Sequence, residues 1–139
     1  YRTLYEKWSS EETSLEKTIT STRKKTAGKR YAATESVARY LADDLGMTDA
    51  TPSGYSQAVA NDGEPSASDI TAFTKLLSSG NVSMLVLNTQ ETNSVTTTIS
   101  DSATRNSVPI VRLTEQMPAR YDTLTAWMKA LVGQFATAV

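Results

Sequence analysis

Apolar side chains open the chain at Tyr1, Leu4, Tyr5, Trp8, Leu15 and Ile19. Their spacing, roughly three, four and seven positions, predicts one long amphipathic helix of about twenty residues. The run "RKKTAGKR" closes it. Bases suit the negative end of the helix dipole, and Gly28 is a natural stop. This basic run reads as a solvated helix end, because no basic face with interleaved aromatics follows it.

Beyond Gly28 the pattern alternates between short apolar runs and helical stripes. Tyr31-Ala32-Ala33 reads as a short strand, and Val37, Tyr40, Leu41 and Leu45 share a helical face closed by Gly46. "MTDATP" suggests a short strand ending at a turn, and "YSQAVANDGEP" a weak helical turn followed by a loop. In "PSASDITAFTKLLSSG", Ser66 and Asp69 form a capping-box pattern. Ile70, Phe73 and Leu77 line one face, and Gly80 ends the helix. "SMLVLN" is apolar throughout, as a parallel strand covered on both faces must be, and "VPIVRL" reads as the next buried strand. Between them, Val95, Ile99 and Ala103 mark a helix in spite of its threonines. Leu124, Trp127, Met128, Leu131 and Phe135 form the strongest stripe, and it ends the chain. Strands alternating with helices imply right-handed crossovers and a parallel sheet. The expected fold is α/β: a three-layer domain with about four parallel strands flanked by helices, preceded by part of a long helix.

Composition narrows the chemistry. The 139 residues suffice for one domain with a real core. Fourteen basic residues against fifteen acidic ones give no electrostatic reason to expect nucleic acid or an anionic membrane as partner. No apolar run reaches the roughly 20 residues of a membrane span. No signal-peptide pattern opens the chain, and "YRTLYEKW" already reads as helix interior without a cap, as expected of a segment of a longer protein. Cysteine and histidine are both absent. That excludes disulfides, thiolate nucleophiles, Ser-His-Asp triads and Cys/His zinc sites. A metal held by these residues alone is held by oxygen. Neither GxGxxG nor GxxxxGK[ST] occurs, so no phosphate loop is expected.

Ligands of open parallel sheets bind beyond the carboxyl ends of the strands. There the sequence places Glu35 in "TES", then "TPSGY", then Asn88, Gln90 and Glu91 in "NTQET", then Thr114 and Glu115 in "TEQMP". Each has a purely structural reading. Glu35 in the first turn of a helix gains from the dipole, by about 0.3–1 kcal/mol. Glu115 reads as a solvated loop acid, and Asn88 and Gln90 as side chains that tie down loop backbone. The alternative is that Glu35 and Glu115 offer two carboxylates to one cation. Two acids under-coordinate a divalent ion, so further ligands would have to come from outside this domain.

The ordered set "RYAATESVARYLADDLGM", "TPSGY", "EPSASDI", "MLVLNTQ", "VPIVRLTEQMP" and "YDTLTAWMKAL" resembles the C-terminal lobe of the zinc/manganese family of ABC-transporter substrate-binding proteins. The resemblance covers essentially the whole chain. It implies that residues 1–27 are a portion of the long helix linking two lobes and that 28–139 form the C-terminal α/β lobe. The family carries a metal ligand five residues before a helical tyrosine. Counting back from Tyr40 gives Glu35, and glutamate is used there in manganese-leaning members. The family's last ligand lies in the loop after the final strand, where Thr114 and Glu115 fall; Glu115 is the better donor. The other ligands are histidines of an N-terminal lobe. The resemblance therefore implies a metal site of Glu35 and Glu115 with no catalytic residues, and a divalent ion, Mn or Zn, as transported cargo that is weakly bound or unbound by this lobe alone. The implied partners are the missing N-terminal lobe and ABC permease subunits, in an extracytoplasmic protein that is periplasmic or anchored to the cell surface as a lipoprotein. Two rivals remain: a metal-free interaction or adhesion module, and a small hydrolase using Glu35 and Glu115 as an acid/base pair.

Overall fold

The computed structural model describes residues 1–139. A 25-residue helix, α1 (Arg2–Thr26), leads into β1 (Arg30–Ala33). A single 3-10 turn, Ser36–Ala38, opens α2 (Arg39–Asp44), and β2 (Thr48–Asp49) follows. Then come α3 (Ser53–Ala60), α4 (Ala67–Ser78), β3 (Met84–Asn88), α5 (Ser94–Arg105), β4 (Ile110–Leu113) and α6 (Leu124–Thr137). The four strands form one parallel sheet in the order β2-β1-β3-β4.

The two sheet faces follow from strand alternation. Tyr31, Ala33, Met84, Val86, Val111 and Leu113 point to one side, where they pack with Leu41 and Leu45 of α2 and Leu131, Val132 and Phe135 of α6. Leu15 and Ile19 of α1 close over this cluster. Ala32 and Leu85 point to the other side, against Tyr55 of α3, Phe73 and Leu77 of α4, and Ile99 and Ala103 of α5. The expected three layers and parallel sheet are therefore present, with helices on both faces.

Local chemistry sets the element ends. Ser66 Oγ accepts from the Asp69 N–H while the Asp69 carboxylate accepts from the Ser66 N–H, the reciprocal capping box read from the sequence. Asn93 caps α5 in the same way, partnered by Thr96. Gly46, just past α2, has φ +69, and a Cβ there would lie 3.3 Å from Ala27 Cα. Glycine is thus required both by the turn and by the close approach of the two chain segments. Nearby, buried Thr26 Oγ donates to the Leu45 carbonyl at 2.7 Å and ties the end of α1 to the end of α2.

Several expectations change. Val37 and Tyr40 are exposed, Tyr40 by 84%, because the 3-10 turn resets the helical phase and α2 buries only Leu41 and Ala42, followed by Leu45 at its end. The weak helical turn of "YSQAVANDGEP" is present and longer than expected, as the two-turn helix α3 that begins within "TPSGY" and is followed by a loop. β4 is an edge strand with Arg112 exposed, not a fully buried one; the outward Arg112 N–H is covered by Gln134 Oε1 of α6 at 3.0 Å. The stripe on α1 is divided. Leu15 and Ile19 pack beside α6, but Tyr1, Leu4, Tyr5 and Trp8 are exposed, Trp8 by 51%. Hydrogen bonds from Thr125 Oγ to Glu11 (3.0 Å) and from Lys129 Nζ to Ser14 (2.6 Å) fasten α1 to α6 only from about its tenth residue onward.

This division has a measurable consequence. Phe135→Ala removes a fully buried ring between α6 and the sheet and is expected to cost about 3–5 kcal/mol in urea denaturation. Trp8→Ala, on the uncovered half of α1, is expected to change the stability of this chain by less than about 0.5 kcal/mol.

Candidate metal centre

β1 continues through α2, which lies on the face shared with α6, whereas β3 continues through α5, on the opposite face. Chain directions thus diverge between the adjacent strands β1 and β3, and the sheet top opens there into a crevice. Glu35 follows β1 and Asn88 ends β3, so both sit at the mouth of that crevice. Glu115 arrives from the loop after β4, the other neighbour of β3.

The three side chains meet. Asn88 Nδ2 donates to Glu35 Oε2 at 2.8 Å and to Glu115 Oε1 at 3.2 Å. Glu35 itself adopts extended backbone (φ −152, ψ 162) ahead of the 3-10 turn, and its side chain caps no helix. Glu35 thus stands at the N-cap of that turn without a capping bond, and its carboxylate reaches across to β3. Glu115 is solvent-exposed, as a loop acid should be, yet it joins the same cluster. Thr114 turns its hydroxyl into its own loop, donating to the Gln116 carbonyl at 2.6 Å. Gln90 ties down backbone as the sequence suggested, its Oε1 accepting from the N–H groups of Glu115 (2.8 Å) and Gln116 (3.3 Å). Asn88 does more than tie down backbone. Its bridging of two acids has no signal in the sequence beyond its place at the end of an apolar strand.

An open depression of about 330 Å³ fronts this cluster, lined among others by Glu35, Thr51, Tyr55, Glu91 and Glu115. Its electrostatics are lopsided. The ion pairs of the domain, Arg2–Glu6 and Lys7–Glu11, both lie within α1, and no lysine or arginine pairs with Glu35 or Glu115. The Glu35 pKa is raised above its ordinary 4.5, first by partial burial. The hydrogen bond from Asn88 opposes this, while the charges of Glu91 and Glu115 and a carboxyl–carboxyl hydrogen bond to Glu115 add to it. The Tyr55 hydroxyl beneath is pushed up to about 12 by burial and by the Glu35 charge, and stays protonated, donating to the Thr34 carbonyl at 3.4 Å. No group of three or more acid, histidine or cysteine side chains is arranged so that it could hold a metal ion. The cluster therefore presents two carboxylates, fewer donors than a divalent ion's shell takes.

The sign of the Glu35 shift gives a pH prediction. A carboxyl whose pKa is raised on folding stabilises the fold below its unfolded pKa, and that contribution is lost as pH rises through the folded value. Ionised Glu35 is thus a burden at neutral pH. Glu35→Gln, which keeps an acceptor for Asn88, is expected to raise the melting temperature at pH 7, with the gain vanishing toward about pH 4. Equal melting curves at both pH values would remove the burden from Glu35.

A family model described as ZnuA, zinc-uptake complex component A, periplasmic, matches residues 1–138. No curated protein and no solved structure gives a significant match. No helix is long and apolar enough to cross a membrane. An α/β domain with paired carboxylates at the sheet crest is in keeping with a solute-binding role. The chain belongs to the family of periplasmic zinc-uptake components, the extracytoplasmic, non-catalytic metal-binding proteins that serve ABC importers.

Proposed function

We propose that this chain forms the C-terminal lobe of a two-lobed solute-binding protein, residues 1–27 belonging to the helix that links the lobes and 28–139 to the lobe itself. In this reading Glu35 and Glu115 ligate a transported divalent ion, zinc or manganese. The observation that carries it is the convergence of two acids from separate strand-end loops on one buried asparagine, with no cationic side chain paired to them. Holding two carboxylates together is unfavourable unless a proton or a cation joins them, and a cation can take that place. The open side of the depression leaves room for ligands from an opposing lobe. The uncovered apolar half of α1, from Tyr1 to Trp8, supports the same reading, since an adjoining lobe would cover it. The ion is captured between lobes, carried outside the cytoplasm by a periplasmic or lipid-anchored protein, and released to the permease.

The hydrolase alternative has less support. Its paired acids would call for a deep cleft with aromatic walls that holds the substrate, and Glu115 is exposed on an open depression. Nothing in the surface favours an adhesive module over the family's role.

Calorimetry tests the half-site directly. This chain alone is expected to bind zinc and manganese no more tightly than micromolar, because two carboxylates leave most coordination positions to water. Submicromolar binding by the chain would contradict a shared site. In the two-lobed protein, Glu35→Gln and Glu115→Gln are each expected to weaken metal binding by more than about tenfold, and unchanged affinity would exclude that residue from the site.

A further inference from the structure

The two ends of the sheet carry charge of opposite sign. All four strands are parallel, so their N-terminal ends lie together, away from Glu35 and Glu115, and each helix that leads into a strand finishes at that end. Arg23, Lys24 and Lys25 occupy the last turn of α1, Lys75 that of α4 and Arg105 that of α5. Lys29 and Arg30 follow α1, and the Arg30 carbonyl accepts from the Ser83 N–H at 2.8 Å, beside the start of β3. All seven bases are exposed, and none forms an ion pair. The acids at the same element ends are Asp43 and Asp44 of α2, where the Asp44 carbonyl accepts from Arg23 Nη1 at 2.6 Å. At the opposite end, Asp49, Asp62 and Glu91 join Glu35 and Glu115 around the depression, with no lysine or arginine in its lining. A net charge of −1 therefore conceals a domain that is basic at one end and acidic at the other.

We propose that the basic end is a docking surface for the anionic headgroups of a phospholipid bilayer. Helix dipoles account for bases in the last turns of α1, α4 and α5. They do not call for Lys29 and Arg30, which stand beyond the helix and extend the same field. The character of the surface selects the partner. Segment 23–30 carries no exposed large apolar or aromatic side chain. A specific protein interface is anchored by apolar and aromatic groups, and single-stranded nucleic acid by aromatic stacking. A bilayer presents a continuous sheet of negative charge and needs only flexible cations that reach it. An extracytoplasmic protein of a family that serves membrane importers works within reach of such a surface. Held by its basic end, the domain keeps its acidic crest turned from the headgroups, which repel it, and open to solvent. The proposal uses no property of Glu35 and Glu115 beyond their negative charge, so it stands apart from their reading as ligands.

Co-sedimentation of the chain with lipid vesicles tests this. At about 0.1 M salt, where the screening length is about 10 Å, vesicles of phosphatidylcholine mixed equally with phosphatidylglycerol are expected to bind the chain. Pure phosphatidylcholine vesicles are not, and binding to the mixed vesicles is expected to vanish at about 1 M salt. Lys24→Glu removes one attraction and adds one repulsion, and is expected to weaken the partition by about tenfold or more. Arg120→Glu makes the same change in net charge in the loop after β4, at the crest end, and is expected to leave the partition within about twofold. Equal binding to the two kinds of vesicle, no binding to the anionic ones, or equal loss in the two variants overturns the proposal. So does capture by a DNA duplex without binding to anionic vesicles at the same salt, which would assign the surface to nucleic acid. The comparison of lipids on the wild-type chain depends on no variant's folding.

Discussion

The divergence of chain direction between β1 and β3 is the constraint from which the rest follows. Two neighbouring parallel strands send their crossovers to opposite faces, so no backbone covers the sheet top between them. Polar side chains can collect there without interrupting either apolar layer. Asn88 is the innermost of them. It is buried like a core residue, yet each of its polar side-chain atoms is satisfied: one hydrogen bond to its own loop, two to acids from neighbouring loops. The domain thus has a polar node at one end of an otherwise apolar sheet.

That node opposes folding stability. Partial desolvation and the nearby charges of Glu91 and Glu115 make the ionised form of Glu35 costly, and the Asn88 hydrogen bond recovers only part of that cost. A site shaped for stability alone would pair Glu35 with a lysine or replace it by an amide. Acids held close with no lysine or arginine beside them give the domain a sensitivity to pH that its apolar layers lack.

Much of this was legible in the chain. Alternating strand and helix patterns suffice for the parallel three-layer fold, because "SMLVLN" has no polar face to offer solvent and the long stripes at 67–78 and 124–137 have no strand periodicity. The positions of Glu35 and Glu115 at strand ends were also readable. Their meeting was not, since it depends on the strand order, which puts β3 between β1 and β4. The burial of α2 was misjudged for a local reason: a 3-10 turn shifts the phase by which Val37 and Tyr40 would otherwise have faced inward. The bridging role of Asn88 was hidden because a strand-end asparagine looks the same whether it binds its own loop or two acids fifty and thirty residues away.

The fastening of α1 along α6 carries a mechanical implication. A helix of 25 residues is a rod roughly 37 Å long, and about the last two thirds of it are bolted to the domain by Glu11, Ser14, Leu15 and Ile19. Rod and sheet turn as one lever. A tilt imposed at the free end of the rod would carry the crest bearing Glu35 and Glu115 with it. The fit of anything gripped at that crest is therefore set by the stiffness of a helix more than by the flexibility of a loop.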